Sequence, residues 1–298
     1  MATVFRRRSG STIWSAWSVV AALLVVIPVA MLAASVLNPS PEVWSQQWDT
    51  RLPGQLRSTA LLLAGVAIGT TVLGAGLAWL VSAFEFRGVR TFAWMLILPF
   101  AMPSYILGFL TLSTFGRTGA VQDTWRSWFG DDAWFPRVES LGGAIVAFTL
   151  VLYPYVYLLT RAALRDQAAG AYHAARTLGA SPSEAARRVV LPLVRPAIAA
   201  GAAVVMMETL TDFATVQYFG VDTVSVGVFR IWRGTFDRDA AAEFATLVLV
   251  VALLIIGLER ALRGRARFGQ AAGAAAGLAP RRLRGGRAIA AVVACSTV

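Results

Sequence analysis

The stretch HAARTLGASPSEAARRVVLP, residues 173–192, is a polar, arginine-bearing run of small residues set between long oily segments, and its neighbours decide the fold. Apolar runs occupy residues 15–37, 58–84, 91–114 and 140–162, each longer than the ~20 residues a helix needs to cross about 30 Å of hydrocarbon. A fifth run, 196–219, is interrupted by Glu208 and Asp212, and a sixth, 240–259, carries Glu243 near one end. With 57% hydrophobic and 14% charged residues over 298 positions, the chain reads as an all-α membrane protein whose six spans fall within residues 1–262. The first run follows FRRRSGS and ends near MLAAS, which offers small residues for signal cleavage; its length and the five later spans favour an uncleaved anchor.

All 27 basic residues are arginine, and their distribution gives the chain a direction. With the amino terminus inside, 19 of them fall in inside segments, six of these between Arg161 and Arg195. The positive-inside rule then puts both termini of the six-span unit in the cytoplasm. The net charge of +11 is thus an insertion signal, and no nucleic-acid partner is expected. An outer loop, 116–140, clusters Trp125, Trp128, Phe129, Trp134 and Phe135, a pattern that anchors chains at the headgroup level.

Several chemistries are excluded. A phosphate-binding loop ending in Gly-Lys-Ser/Thr needs a lysine, and there is none. One cysteine, Cys295, and one histidine, His173, permit no disulfide framework, no Cys/His zinc site and no Cys–His nucleophile pair within the chain. No cofactor and no metal centre are expected, and the chain is read as no enzyme.

Residues 167–178 are mostly good helix formers, and Gly179 stands where a left-handed C-terminal cap is wanted. Ser181 can cap a second helix, with Pro182 at its first position and Glu184 completing a capping box. Pro192 is expected to stop that helix near Leu191. The whole pattern resembles the signature of ATP-binding-cassette importer permeases: Glu-Ala-Ala, three residues, Gly, nine residues, Ile, one residue, Leu-Pro. His173, Ala174, Ala175, Gly179, Val189, Leu191 and Pro192 match it in spacing, with Val189 for Ile and His173 in place of the acid. The resemblance implies a six-span type I permease half, with residues 165–195 as the loop that docks on a cytoplasmic ATPase dimer.

Glu208 and Asp212 sit four apart in the fifth run, which would put both carboxylates on one helix face. From Ala197, eleven residues at 1.5 Å each place Glu208 roughly 16 Å in, near the bilayer midplane. A carboxylate there must face the bundle interior, be protonated or meet a cation, which makes the pair candidates for the translocation pathway. The segment METLTDFATVQYFGVDT, residues 207–223, resembles the corresponding stretch of ferric-iron importer permeases, with Ala214 where a glycine is expected. That resemblance implies a bacterial inner-membrane protein, a periplasmic iron-binding protein as outside partner, and a second permease half. Residues 263–286 read as a cytoplasmic Gly/Ala/Arg linker, and 287–298 as the truncated start of a seventh span belonging to that second half. Two alternatives stay open: a same-class importer for thiamine, a polyamine or sulfate, and an ion-coupled carrier or channel that uses Glu208 and Asp212 as a relay.

Overall fold

A computed structural model describes residues 11–35, 37, 41–235, 238–263, 278 and 281–298. Arg6, Arg7, Arg8 and most of the 263–286 linker lie outside the described residues. In chain order the helices are α1 (Ser11–Ser35), α2 (Pro41–Thr50), α3 (Leu52–Ala83), α4 (Val89–Met95), α5 (Ser104–Phe115), α6 (Ala120–Phe129) and α7 (Leu141–Ala163). There follow α8 (Ala169–Thr177), α9 (Pro182–Ala185), α10 (Leu191–Thr211), α11 (Phe213–Tyr218), α12 (Val224–Thr235), α13 (Arg238–Arg263) and α14 (Gly286–Ser296). Among the described residues, five helical segments are long and apolar enough to cross a bilayer: Trp14–Ser35, Leu52–Ala83, Leu141–Asp166, Pro182–Thr211 and Asp239–Arg263.

The expected third span, 91–114, is not one helix. Val89–Ala101 and Ser104–Phe129 meet at a bend of 92°, and six spans result only if this broken pair counts as one. The cause is LPFAMPS, residues 98–104: Pro99 and Pro103 remove two backbone donors, and Met102 before Pro103 takes an extended conformation. A helix ending at membrane depth leaves carbonyls without partners, and these must be satisfied inside the protein. Two buried tyrosines of α7 do this: Tyr153 Oη donates to Leu96 O (2.7 Å) and Tyr157 Oη to Ala93 O (3.0 Å). Arg161 Nη1 adds a second donor to Ala93 O at 3.2 Å.

The core of the bundle is the trio α3, α7 and α10. Gly65, Gly69 and Gly74 of α3 lie in turn against Ile145, Thr149 and the Tyr153–Val156 turn of α7, so the two helices run parallel. From the other side, Gly201 of α10 meets the Val156 backbone. A methyl group at Gly74 would stand 2.7 Å from Tyr153 O, and one at Gly201 would stand 2.8 Å from Val156 Cα. In lipid, where apolar burial gives helices no advantage, such small-residue contacts supply the packing. At the opposite end from residues 173–192, α2 is held to α13 by Trp44, stacked on Phe244 at 4.4 Å and donating to the buried Glu243 carboxylate. There α6 presents Trp125 against Phe129 (4.3 Å) with Trp128 exposed, as an interfacial helix does.

Near the 173–192 end, Phe84–Glu85 pairs in parallel with Arg281–Arg282, and Arg282 reaches the Glu85 carboxylate at 3.1 Å. Beyond it, α14 sets Ala291 and Cys295 into the same buried cluster as Leu77 and Tyr153. Substitution by valine at Gly74 or Gly201 is expected to overpack the trio by about 1–3 kcal/mol. Gly76→Ala, whose added methyl meets nothing within 4 Å, is expected to be neutral or slightly stabilising. Thermal melting in detergent would check both.

Candidate functional site

Helical backbone continues from α7 through a π-helical turn, Leu164–Ala168, into α8, so the first loop helix grows directly out of a span and has no separate start at Gln167. It ends as expected. Gly179 has φ +92°, its N–H bonds Arg176 O (3.1 Å), and Ala180 N–H bonds Ala175 O (3.0 Å), the two bonds of a Schellman motif. Ser181 Oγ accepts from Glu184 N–H at 3.2 Å, with Pro182 in the first turn. Only half of the expected capping box forms, because the Glu184 carboxylate turns to Arg188 Nη1 (2.6 Å).

The second loop helix does not stop at Leu191. From α9 the backbone passes through a π-helical turn, Ala186–Val190, into α10, and Leu191 N–H bonds Ala186 O. The wider turn accommodates Pro192, which has no N–H and would crowd an α-helical carbonyl four residues back. The loop's second helix and the fifth span are therefore one helical segment, Pro182–Thr211, of 30 residues.

Between the two loop helices the surface is small and open. Ala174 and Pro192 are exposed, Ala175, Val189 and His173 half-buried, and a methyl at Gly179 would touch nothing within 4 Å. Gly179 is thus required by its positive φ and leaves room outside for a partner. Leu178 is 87% exposed at the tip, and Leu191 54%. Leu178 falls in the three-residue spacer of the sequence pattern, so spacing could not single it out. The His173 ring lies edge-on to Tyr172 (5.8 Å), and among the described residues it makes no ion pair.

The two acids of the fifth run part company. Glu208 lies within α10 with its side chain exposed, facing the Tyr155 hydroxyl of α7, while Phe100 stands edge-on to Tyr155 at 4.8 Å. Asp212 is outside the helix: α10 ends at Thr211, and Asp212 takes φ −81°, ψ 88°. Its carboxylate caps α11, accepting from Thr215 N–H (2.9 Å) and Thr215 Oγ1 (2.6 Å), and also from Ser104 Oγ (2.5 Å). The expected shared helix face and continuous span to 219 are therefore replaced by a break, and the carboxylates do not stack. Ser104 opens α5 just after the break in the third run, so one hydrogen bond ties the two interrupted spans together. The tie has no local sequence signal, since its partners are 108 residues apart. Irregular backbone at membrane depth occurs where it is enclosed by protein or lines a cavity, which makes this junction, with Glu208 and Tyr155 beside it, the candidate pathway.

Two interrupted spans, a glycine-packed bundle and a protruding capped helix pair form a recognisable set. Residues 70–263 match the family model for the binding-protein-dependent transport system inner membrane component. The chain belongs to that family. This permease is 28% identical over 253 residues to the sulfate transport system permease protein CysT of Salmonella typhimurium, covering 82% of this chain and 88% of the relative. It is 24% identical to the Fe(3+)-transport system permease protein FbpB 2 of Haemophilus influenzae, covering 84% of this chain and 46% of that relative. A crystal structure of a bacterial alginate ABC transporter with its oligosaccharide-bound periplasmic protein contains a chain of the same fold. Its TM-score is 0.66 at 18% identity, with 87% of this chain and 98% of that chain covered. The protein is accordingly a multi-pass inner-membrane permease subunit of a binding-protein-dependent ABC importer, a transport component rather than an enzyme.

Loss of the Asp212 cap is expected to be structural. Asp212→Ala should cost about 0.5–2 kcal/mol of stability by removing the α11 cap, whereas Asp212→Asn, which keeps an acceptor oxygen for Thr215 N–H, should cost less than half as much. Melting of the two variants in detergent would check the order.

Proposed function

We propose that this permease carries ferric iron, delivered by a periplasmic iron-binding protein, and that residues 165–195 form the loop on which a cytoplasmic ATPase dimer docks. One observation carries the substrate reading: within α10 the Glu208 carboxylate is exposed, has the Tyr155 hydroxyl for a neighbour, and among the described residues has no cation paired with it. Hard oxygen donors suit a hard cation, and an intramembrane carboxylate repels a dianion such as sulfate. The match to a ferric-iron permease over 84% of this chain supports the same reading. The match to a sulfate permease over most of that relative's length favours the oxyanion alternative, so the two are set against each other by experiment.

The mechanism is alternating access. ATP closes the ATPase dimer, the docked helix pair is displaced, and the spans open outward to receive the substrate from the binding protein. Transmission has a physical path, because the loop helix that begins at Pro182 and the Glu208 turn belong to one helical segment. Six spans line half a pathway, and a second permease half, in a separate chain or in a longer one, completes it. Both termini of the six-span unit are cytoplasmic in this reading, and the bilayer surrounds α1, whose side chains from Trp14 onward are almost all exposed.

Uptake of labelled ferric complexes, compared with sulfate, thiamine and a polyamine, tests the substrate. Deletion is expected to abolish ferric uptake alone, and unchanged ferric uptake would overturn the assignment. Glu208→Gln should lower ferric uptake at least tenfold with melting unchanged. For coupling, Gly179→Asp should leave the ATPase active while uptake falls at least tenfold, since an L-residue at φ +92° distorts the helix pair. Wild-type uptake in that variant would sink the docking role. In proteoliposomes without ATP no flux is expected, and gradient-driven flux would favour an ion-coupled carrier.

A further inference from the structure

A cavity of about 510 Å³ lies behind the two loop helices, among α3, α7, α10, Phe84 and Leu278, and Glu208 and Asp212 take no part in it. Its walls are mostly apolar, with Ala75 and Trp79 from α3 facing Val194 and Ile198 from α10. One end is level with the ends of the spans, where Ala83, Leu164 and Leu191 line it. The other end, at Ala75 and Ile198, lies about 10–12 Å deeper at 1.5 Å per residue. The cavity therefore straddles the boundary between hydrocarbon and headgroups at the arginine-rich end of the bundle.

Of the polar side chains that line it, Thr160, Tyr172, Ser183 and Arg187, two bear on what it could hold. Arg187 lines the mouth of the cavity and also a shallow polar recess with Ser183, Glu184 and Arg188. Glu184 is taken by Arg188, and among the described residues no carboxylate pairs with Arg187. In the wall, Thr160 is 2% exposed, and its hydroxyl is buried without a hydrogen-bond partner. A threonine in a helix ordinarily bonds a carbonyl in the preceding turn, as Thr59 and Thr70 do in α3, and Thr160 does not. A buried hydroxyl left unpaired costs free energy that an incoming acceptor would recover.

We propose that the cavity holds one anionic phospholipid. Its phosphate meets Arg187, a glycerol ester carbonyl accepts from the Thr160 hydroxyl after a turn about χ1, and one acyl chain lies between Trp79 and Val194. Each feature narrows the occupant. Free phosphate would leave the apolar walls bare, and an apolar side chain from a docked protein would leave Arg187 and Thr160 unanswered. A zwitterionic lipid would bring a second, positive group beside Arg187 and Arg188. Seated there, the lipid bridges the spans and the loop helices, so the angle of the docking knob depends on it.

The test is lipid retention by the full-length permease, purified with the subunits that accompany it and exchanged into nanodiscs of phosphatidylglycerol or phosphatidylcholine. Native mass spectrometry after partial delipidation should find about one phosphatidylglycerol per chain, retained at least fivefold over phosphatidylcholine. Arg187→Glu, on an exposed side chain, should lower that retention at least tenfold, and Arg187→Lys should keep most of it. Val194→Trp should exclude both lipids by filling the cavity; if that variant fails to assemble, Thr160→Val, expected to lower retention severalfold, takes its place. Equal retention of the two lipids, wild-type retention in Arg187→Glu, or loss of bound lipid whenever the ATPase is present would each overturn the proposal. Retention does not depend on the solute carried, so failure here is distinguishable from failure of the ferric assignment.

Discussion

The fold hangs on a single turn of α7, residues 153–157, held by backbone-close contact on both sides. Gly74 of α3 and Gly201 of α10 leave no room for a side chain against it. In a bilayer, helices gain little from hiding oil, so contact distance decides which of them stay together. The same turn carries Tyr153 and Tyr157, whose hydroxyls answer the carbonyls that the broken third span leaves open. Two problems of a membrane interior, packing without a hydrophobic drive and bonding of interrupted backbone, thus share one solution.

From that turn the chain reaches the loop helices through continuous helical backbone. Backbone from Leu141 to Thr177 is helical throughout, with the π-turn at Leu164–Ala168 marking where it leaves the span. A Schellman cap and a serine cap then reverse it within a few residues. Caps of this kind contribute roughly 1 kcal/mol each, enough to fix the reversal while leaving its outer face to a partner. What the loop surface offers is shape and exposed leucines, Leu178 at the tip and Leu191 beside it.

Much of this was legible in the sequence, and the misses share a cause. Apolar run length pointed to the long apolar helices because it reports what a helix must satisfy on its own, although the third run is a bent pair. Gly179, Ser181 and Pro182 were legible because caps are local chemistry. Pro192 was misread as a stop: a proline forbids the ordinary ladder, but a π-turn just before it keeps the helix going, and the choice depends on packing that no local window contains. Asp212 was misread as half of a stacked pair for the same reason. Its partners are Thr215 nearby and Ser104 in another span, and only the fold brings the latter within reach. LPFAMPS carried the signal for the third-run break, two prolines four residues apart, and uninterrupted hydropathy hid it.

The continuity of the helix through Pro192 bears most on mechanism. Had the loop helix ended there, it and the Glu208 turn would be separate helices joined by a break. With Pro182–Thr211 one helical segment, the loop helix and the Glu208 turn share a continuous backbone, and between them Gly201 is pressed against Val156. The helix ladder of that segment stops at Asp212. There the Ser104–Asp212 bond connects it to the other interrupted span. Discontinuous spans linked at membrane depth are the elements suited to take up two arrangements, while the Gly74 contact holds α3 against α7.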